Sequence, residues 1–322
     1  MPLIALIAAT GPVTASAAPV DPNRIADARN SVVVVVPAWQ GVRQGFAPRT
    51  TDRRIAPEGS GIAIVPGGYI ATNDHVLGDP IAVDVRLADG RRLPARIVGR
   101  HKPSDVALLK IDTDLPVFTI APGAPVAAPA CAIGNPFGRG LSVSCGVISA
   151  VMRSNAGFNE IEDFIQTDAA VNPGGSGGAL VDGKGRLLGM VSAIFAQGSD
   201  VNLGVNFAAS AALVRRVVDD LKDHGRVVDS SLGLETGDLP AAAQSTQAGV
   251  TVLRTEPNGP AFKAGIEAGD IITKVGERNV QTPAQFRAAA FLAKPGDVLA
   301  VTHVRGDKTL EARVIATSSQ RR

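Results

Sequence analysis

Asn172-Pro173-Gly174-Gly175-Ser176-Gly177-Gly178-Ala179-Leu180 is the stretch on which the fold of this 322-residue chain turns. Glycines flank one serine on both sides, and the apolar residues Leu187, Leu188, Met190 and Val191 follow as a buried strand would. Glycine reaches backbone angles closed to other residues. Ser176 can therefore stand on a tight turn with neighbouring N–H groups free, the arrangement a nucleophile and its oxyanion hole require. Taken alone, the same letters read better as a flexible Gly/Ser linker, so the rest of the chain must decide.

A serine nucleophile needs a base within hydrogen-bond reach and an acid group that fixes the base's tautomer. The sequence offers His75, His101, His224 and His303. His224 falls at the end of an expected helix, where the dipole favours an imidazolium without catalysis. His303 lies in the C-terminal part, and His101 sits beside Lys102-Pro103 in an expected turn. His75, at a strand end, is left as the base. Among the candidate acids Asp74, Asp79, Asp105 and Asp168, Asp74 adjoins His75 and points away in an extended chain. Asp168 shares the segment carrying Ser176 and is expected to shape the site. Asp105 opens a strand in the same half as His75 and is best placed. The order His75, Asp105, Ser176 is the chain order of the chymotrypsin type.

The strand pattern supports a pair of barrels. Val32 to Val36, Gly61 to Val65, Tyr69 to Thr72, Ile81 to Leu87, Arg92 to Val98 and Ser104 to Ile111 read as short strands separated by turn signals. Residues 40 to 59 are polar and expected to be loop. A Pro/Ala tract from Ala121 to Pro129 follows, and the pattern then repeats in Ala130 to Ile133, Leu141 to Met152, Phe164 to Thr167, Gly178 to Val181, Leu187 to Ile194 and Gly204 to Phe207. Ser210 caps a helix carrying Leu213, Val214, Val217, Val218 and Leu221, closed by Gly225. From about Ser230 a smaller unit of mixed strand and helix begins, with strands near Val250 to Arg254, Asp270 to Val275 and Val298 to Val304. Its helix is opened by Thr282-Pro283. The expected divisions are 1–18, 30–226 (barrels 30–120 and 126–209, then the helix) and 230–316.

These blocks together resemble the HtrA (Deg) trypsin-like serine proteases. The resemblance rests on Gly59-Ser60-Gly61, Thr72-Asn73-Asp74-His75-Val76, Ser104-Asp105-Val106-Ala107-Leu108-Leu109-Lys110, Ala132-Ile133-Gly134-Asn135-Pro136-Phe137-Gly138, the run from Gln166 to Gly178, and Gly204-Val205-Asn206-Phe207-Ala208. It covers roughly residues 30 to 315. It implies a mainly β fold, a chymotrypsin-like double antiparallel β-barrel followed by a small α+β PDZ domain. It also implies His75 as general base, Asp105 as its orienter, Ser176 as nucleophile, and the N–H groups of Gly174 and Ser176 as oxyanion hole. Where the family carries Asn and Pro, this sequence has Gly175 and Ala179, which loosens the turn while keeping the backbone donors. Ala170, Val171, Ser192 and Ile194 are expected to line a specificity pocket for a small or medium aliphatic residue. In the PDZ-like unit, Leu232, Gly233 and Leu234 form the edge on which a peptide C-terminus adds as a strand. Phe286 and Ala290 line its side-chain pocket, the alternative being that Leu232, Leu234 and Phe286 are simply core. The resemblance further implies an ATP-independent endopeptidase for unfolded or misfolded proteins, without metal or cofactor, assembled as a homotrimer. A weakly active, peptide-binding chaperone is the alternative.

Composition bounds the function. The chain has 32 basic and 30 acidic residues for a net charge of +2, so no broad field draws nucleic acid. Arg43, Arg49, Arg53 and Arg54 form a local basic cluster and read as a solvated loop. Neither Gly134 to Gly140 nor Gly174 to Gly178 opens a helix followed by Lys-Ser/Thr, which disfavours a phosphate cradle. The apolar run Met1 to Ala9 followed by Ala15-Ser16-Ala17-Ala18 resembles the end of an export signal without its basic start. Export to the periplasm or the extracellular space is expected, with retention as a membrane anchor second. Cys131 and Cys145 flank Gly138 symmetrically and could face each other across a hairpin. A disulfide and two buried thiols are both open readings.

Overall fold

The structure is a computed structural model that describes residues 19–40, 43–44, 55–56, 58–194, 204–240 and 247–319. The signal-like segment and Arg49, Arg53 and Arg54 lie outside the described residues. A short helix that the sequence reading did not anticipate, α1 (Pro22–Ala28), precedes the first barrel. The Asp21 side chain caps it by accepting from Asn23 N and Arg24 N.

β1 (Val32–Ala38) shows no alternation because both its faces are covered. Val33 and Val35 pack inside the barrel with Ile70, Leu77 and Leu109, whereas Val32 enters the core shared between the two barrels. Within the expected loop, β2 (Arg43–Gln44) and β3 (Ile55–Ala56) form a two-stranded parallel pair. β4 (Gly59–Val65) and β5 (Tyr69–Thr72) lead to α2 (Asp74–Leu77). They are followed by β6 (Ala82–Arg86), β7 (Arg92–His101) and β8 (Val106–Lys110). The six larger strands close as a barrel in the order β1-β4-β5-β8-β7-β6. β7 runs three residues past its expected end, so His101 terminates a strand instead of sitting in a turn.

β9 (Pro129–Gly134), β10 (Ser142–Arg153), β11 (Phe164–Thr167), β12 (Ala179–Asp182), β13 (Leu187–Ile194) and β14 (Asn206–Ser210) close a second barrel in the order β10-β11-β14-β13-β12-β9. Cys131 and Cys145 are directly opposed across β9 and β10 and are joined by a disulfide. The fold is mainly β, two chymotrypsin-like barrels in sequence. α3 (Ala211–His224) closes this part. Ser210 Oγ accepts from Leu213 N at 3.1 Å, and Gly225 ends the helix in the left-handed region at φ 69°. Its buried Leu213, Val214, Val217, Val218 and Leu221 join the shared core.

The C-terminal unit holds β15 (Ser230–Ser231), β16 (Leu234–Gly237), β17 (Val250–Thr255), α4 (Pro260–Lys263), β18 (Ile271–Val275) and β19 (Arg278–Asn279). It continues with α5 (Pro283–Leu292), β20 (Val298–Arg305), β21 (Lys308–Ile315) and β22 (Thr317–Ser318). Its PDZ-like sheet runs β16-β17-β18-β20-β21, and β16 is a free edge. β16 is not among the strands suggested by the sequence of this unit. Thr282 Oγ1 accepts from Gln285 N at 3.2 Å, capping α5 as its sequence suggests.

The unit packs on the barrels. Phe291 of α5 stacks on His101 with centroids 5.5 Å apart, and the Arg216 guanidinium lies 5.6 Å above the Phe291 ring. His101 is thus a buried contact between the barrels and the sheet unit.

Candidate active site

α2 begins immediately after β5, so the chain turns at Asn73 and His75 is displayed on the first helical turn. Asp105 opens β8 in the left-handed region, φ 55° and ψ 41°, a conformation uncommon for a non-glycine residue. The two meet twice: His75 N donates to Asp105 Oδ1 at 2.9 Å, and His75 Nδ1 lies 2.7 Å from Asp105 Oδ2. A carboxylate offers only acceptors, so the proton on the second bond belongs to Nδ1 and Nε2 is left with a free lone pair. The imidazole is half exposed, whereas the carboxylate is sheltered.

Asn73, fully buried, holds this geometry from behind. Its Nδ2 donates to Asp105 O at 3.0 Å and to Ser192 Oγ at 3.2 Å, and Ser192 Oγ donates to Asp105 Oδ2 at 3.4 Å. Asp74, the rejected acid, is paired with Arg100, whose pKa that hydrogen bond raises. Its position on α2, not an extended chain, turns it away. Asp79 is fully exposed. Asp168 is not among the residues lining the cleft; its Oδ1 accepts Val147 N, midway along β10, at 2.6 Å.

Ser176 shares with His75, Asp105 and Ser192 a cleft of about 440 Å³, which Phe158, Asn159 and Val171 also line. Ser176 Oγ donates to Ser192 O at 3.4 Å, and no hydrogen bond joins it to His75. The turn around it is fixed by backbone bonds. Phe137 N donates to Pro173 O at 2.6 Å, Gly175 N to Asn172 O at 2.8 Å, and Gly178 N to Gly175 O at 2.9 Å. In a trans peptide the C=O and N–H point in opposite directions. With the oxygens of Pro173 and Gly175 engaged, the N–H groups of Gly174 and Ser176 each point away from their own engaged carbonyl, and neither donates to another described residue.

At two positions of this turn a positive φ and a backbone oxygen in the way together require glycine. Gly174 has φ 92°, and a Cβ there would meet Asn135 O at 2.3 Å. Gly177 has φ 85°, and a Cβ would meet Ser60 O at 2.0 Å. Gly175 differs, since it is outside the left-handed region and its Cβ would come no closer than 3.0 Å, to Asn172 O.

The expected specificity residues separate. Ala170 and Val171 line a cavity of about 130 Å³ together with Ile133, Ser144 and Val191. Ser192 belongs to the neighbouring cleft beside Asp105. The side chain of Ile194 lies outside the described residues.

On the C-terminal unit, Leu232, Leu234, Phe286 and Ala290 line a cavity of about 370 Å³ between the β16 edge and α5. Phe286 and Ala290 are also buried in that unit's core, so groove and core uses coincide. Gly233, φ 69°, shapes the turn before the edge, where a Cβ would meet Pro260 Cδ at 2.5 Å.

Sequence reasoning missed Asn73, Ser60, Phe158 and Asn159. The last two are presented by a loop folded on Glu162, whose carboxylate accepts Ala156 N, Phe158 N and Asn159 N at 2.5 to 3.0 Å. One acid among Glu160, Glu162 and Asp163 carries no signal of that role. For Asn73 and Ser60 the signal existed, since both fall within the motifs that carried the resemblance.

Residues 59–190 match the trypsin-like peptidase domain model, and residues 218–315 match the PDZ domain model. The periplasmic serine endoprotease DegP of Escherichia coli (strain K12) is 36% identical over 273 residues, covering 81% of this chain. The periplasmic pH-dependent serine endoprotease DegQ of the same organism is 34% identical over 271 residues. The chain spans 57% of the length of the first and 59% of the second. Among solved structures, the HtrA-type protease AlgW with tripeptide superposes with a TM-score of 0.70 at 32% identity. That match covers 93% of this chain and 97% of the other.

Proposed function

Since the chain belongs to the HtrA-type family of trypsin-like serine proteases with a PDZ domain, we propose that it is an exported, ATP-independent serine endopeptidase acting on unfolded or misfolded protein segments. Ser176 attacks the scissile carbonyl while His75 Nε2 takes its proton. Asp105 holds the Nδ1–H tautomer and stabilises the imidazolium that forms. The Gly174 and Ser176 N–H groups receive the oxyanion. His75 then returns the proton to the leaving amine, and water attacks the acyl-enzyme by the same relay in reverse.

The observation that carries this reading is the 2.7 Å His75–Asp105 bond in one cleft with Ser176, on a turn whose two N–H groups have no internal partner. Substrate residues with small or medium aliphatic side chains suit the Ala170–Val171 cavity. The 370 Å³ groove along β16 suits a peptide C-terminus, added as a strand beside that edge.

The division into a barrel pair over 30–226 and a PDZ unit over 230–316 belongs to the same proposal, as does assembly into a homotrimer. Export follows the periplasmic names of the relatives. Among the described residues no helix is long and apolar enough to cross a membrane. Cleavage of reduced, unfolded casein by the wild type and by Ser176→Ala and His75→Ala tests the activity. Turnover confined to the wild type supports it, and equal turnover in all three removes it.

One observation favours a second reading, a peptide-binding chaperone with weak catalysis: Ser176 Oγ is directed at Ser192 O and not at His75. Peptide binding without casein cleavage by the wild type would select it.

A further inference from the structure

Gly174 and Gly175 are consecutive residues without side chains, so no side chain of their own restrains the turn that carries the oxyanion donors. Beyond the backbone bonds already described, restraint comes from the other barrel. Ser60 of β4 is fully buried and reaches this turn with both backbone and side chain. Ser60 N donates to Ser176 O at 2.8 Å, and Ser60 Oγ donates to Gly174 O at 2.8 Å. The same hydroxyl accepts Asn135 N at 2.9 Å, while Ser60 O accepts Thr72 Oγ1 at 2.7 Å.

We propose that Ser60 is a positioning residue for the oxyanion hole, its hydroxyl holding both the Gly174 carbonyl and the Asn135 N–H and thereby setting the turn and the loop between which the Gly174 N–H is fixed. This rests on the protease reading above. The peptide before Gly174 is held by Phe137 N on Pro173 O, and the peptide after it by Ser60 Oγ on Gly174 O. The Gly174 N–H lies in the first of these planes, and holding the second fixes the Gly174 torsions against which the first is set. The hydroxyl does this with its single proton, and a lone pair takes the Asn135 N–H. Asn135 in turn is tied through Nδ2 to Glu58 Oε2 at 2.9 Å and through Oδ1 to Gly140 N at 2.7 Å. The loop that presents Phe137 N and the turn that presents Gly174 N are therefore set by one hydroxyl. Close packing keeps it there: a Cβ on Gly134 would lie 3.1 Å from Ser60 Oγ and 3.2 Å from Gly175 Cα. No other described side chain donates to the Gly174 carbonyl.

The test is steady-state cleavage of a quenched unfolded peptide by the full chain, its Ser60→Ala variant and its Ser60→Cys variant, with inhibition by a peptide boronate. The boronate forms a tetrahedral adduct on the serine and needs the oxyanion donors, whereas ground-state substrate does not. For Ser60→Ala, kcat falls by about tenfold to a hundredfold, the range set by misplacing a catalytic group instead of deleting it. KM stays within about twofold because ground-state binding is untouched. Boronate affinity falls in parallel with kcat. Ser60→Cys, which keeps the side-chain shape with a weaker donor, falls between the two. An unchanged kcat in both variants, or a loss expressed only in KM, overturns the proposal.

Hydrogen exchange of the 172–178 segment provides a readout that does not need turnover. It quickens in Ser60→Ala if the tether exists and stays at the wild-type rate if it does not. A wild type that neither cleaves nor binds boronate removes the protease reading, while the exchange rates still decide the tether.

Discussion

Asp163 at the entrance to β11 and Arg278 of β19 form a two-pronged ion pair across the boundary between the barrels and the PDZ unit, with N···O distances of 2.7 and 2.8 Å. The carboxylate is 2% exposed and also accepts from Ser210 Oγ, the cap of α3. Removing the guanidinium leaves a buried charge. Arg278→Ala is therefore expected to destabilise the folded chain by about 3 kcal/mol, the lower end for a broken buried pair because Ser210 still donates. Asp163→Asn is expected to cost less, since Arg278 keeps part of its water. Thermal unfolding of the two variants checks the order, and the reverse order would show that the pair does not hold the units together.

Asp105→Asn keeps the shape of the side chain but offers an amide to His75, which then favours the wrong tautomer. A fall in kcat of roughly 10⁴ is expected, with KM little changed. Asn73→Ala, by releasing Asp105 O and Ser192 Oγ, is expected to lower kcat by a smaller factor, about tenfold to a hundredfold. Kinetics on the same peptide substrate separate the two.

Gly175 is the position where the sequence alone suggests a slack turn, and the structure sharpens that suggestion. Its backbone is open to an L-residue, so Gly175→Asn is expected to stabilise by about 0.4–1 kcal/mol through the unfolded chain, provided Asn172 O yields a few tenths of an ångström. Gly174→Ala and Gly177→Ala, at φ 92° and 85° with backbone oxygens in the way, are expected to abolish activity. Denaturant titration and casein cleavage of the three variants check the contrast.

How much was legible in the sequence follows from where the partners of each residue lie. Short alternating strands between turn signals announce themselves locally, and both barrels were readable for that reason. β21 was missed because only Ala312 and Val314 of its eight residues are clearly buried, and its charged positions mask the period. The left-handed backbone of Asp105 was not anticipated either, for Ser104-Asp105-Val106 reads as the opening of a strand. Ser60 and Asn73 were quoted inside motifs, yet their work depends on Gly174 and Ser192, more than a hundred residues later in the chain. Cys131 and Cys145 were symmetric about Gly138 on paper, but only strand register puts them face to face.

That disulfide closes a loop over a sequence separation of 14. Loop-closure entropy then assigns it about 3 kcal/mol of stability. Reduction, or the double change Cys131→Ser and Cys145→Ser, is expected to lower the denaturant midpoint by a corresponding amount. An unchanged midpoint would show that the β9–β10 ladder is held without it.

Asp270 gives the PDZ unit an acid limit. Burial alone would raise its pKa, but Arg305, bound at 2.7 Å through Nε and Nη2, and the Glu267 N–H at 2.9 Å hold the carboxyl below its usual value. A depressed folded-state pKa contributes stability that is complete above the unfolded value, near 3.9, and is lost as the pH falls through the folded value. Unfolding followed from pH 6 to 2 is expected to show this loss in the wild type and to lack it in Asp270→Asn, which starts less stable.

The central claim is that Ser176, activated by His75 and Asp105 beside a formed oxyanion hole, is the nucleophile. Its most direct test is fluorophosphonate labelling of the full chain followed by mass-spectrometric mapping, with and without added C-terminal peptides. A single adduct on Ser176, lost in His75→Ala, is the expected result. A folded wild type that takes no label under either condition, or takes it on another residue, would contradict the claim.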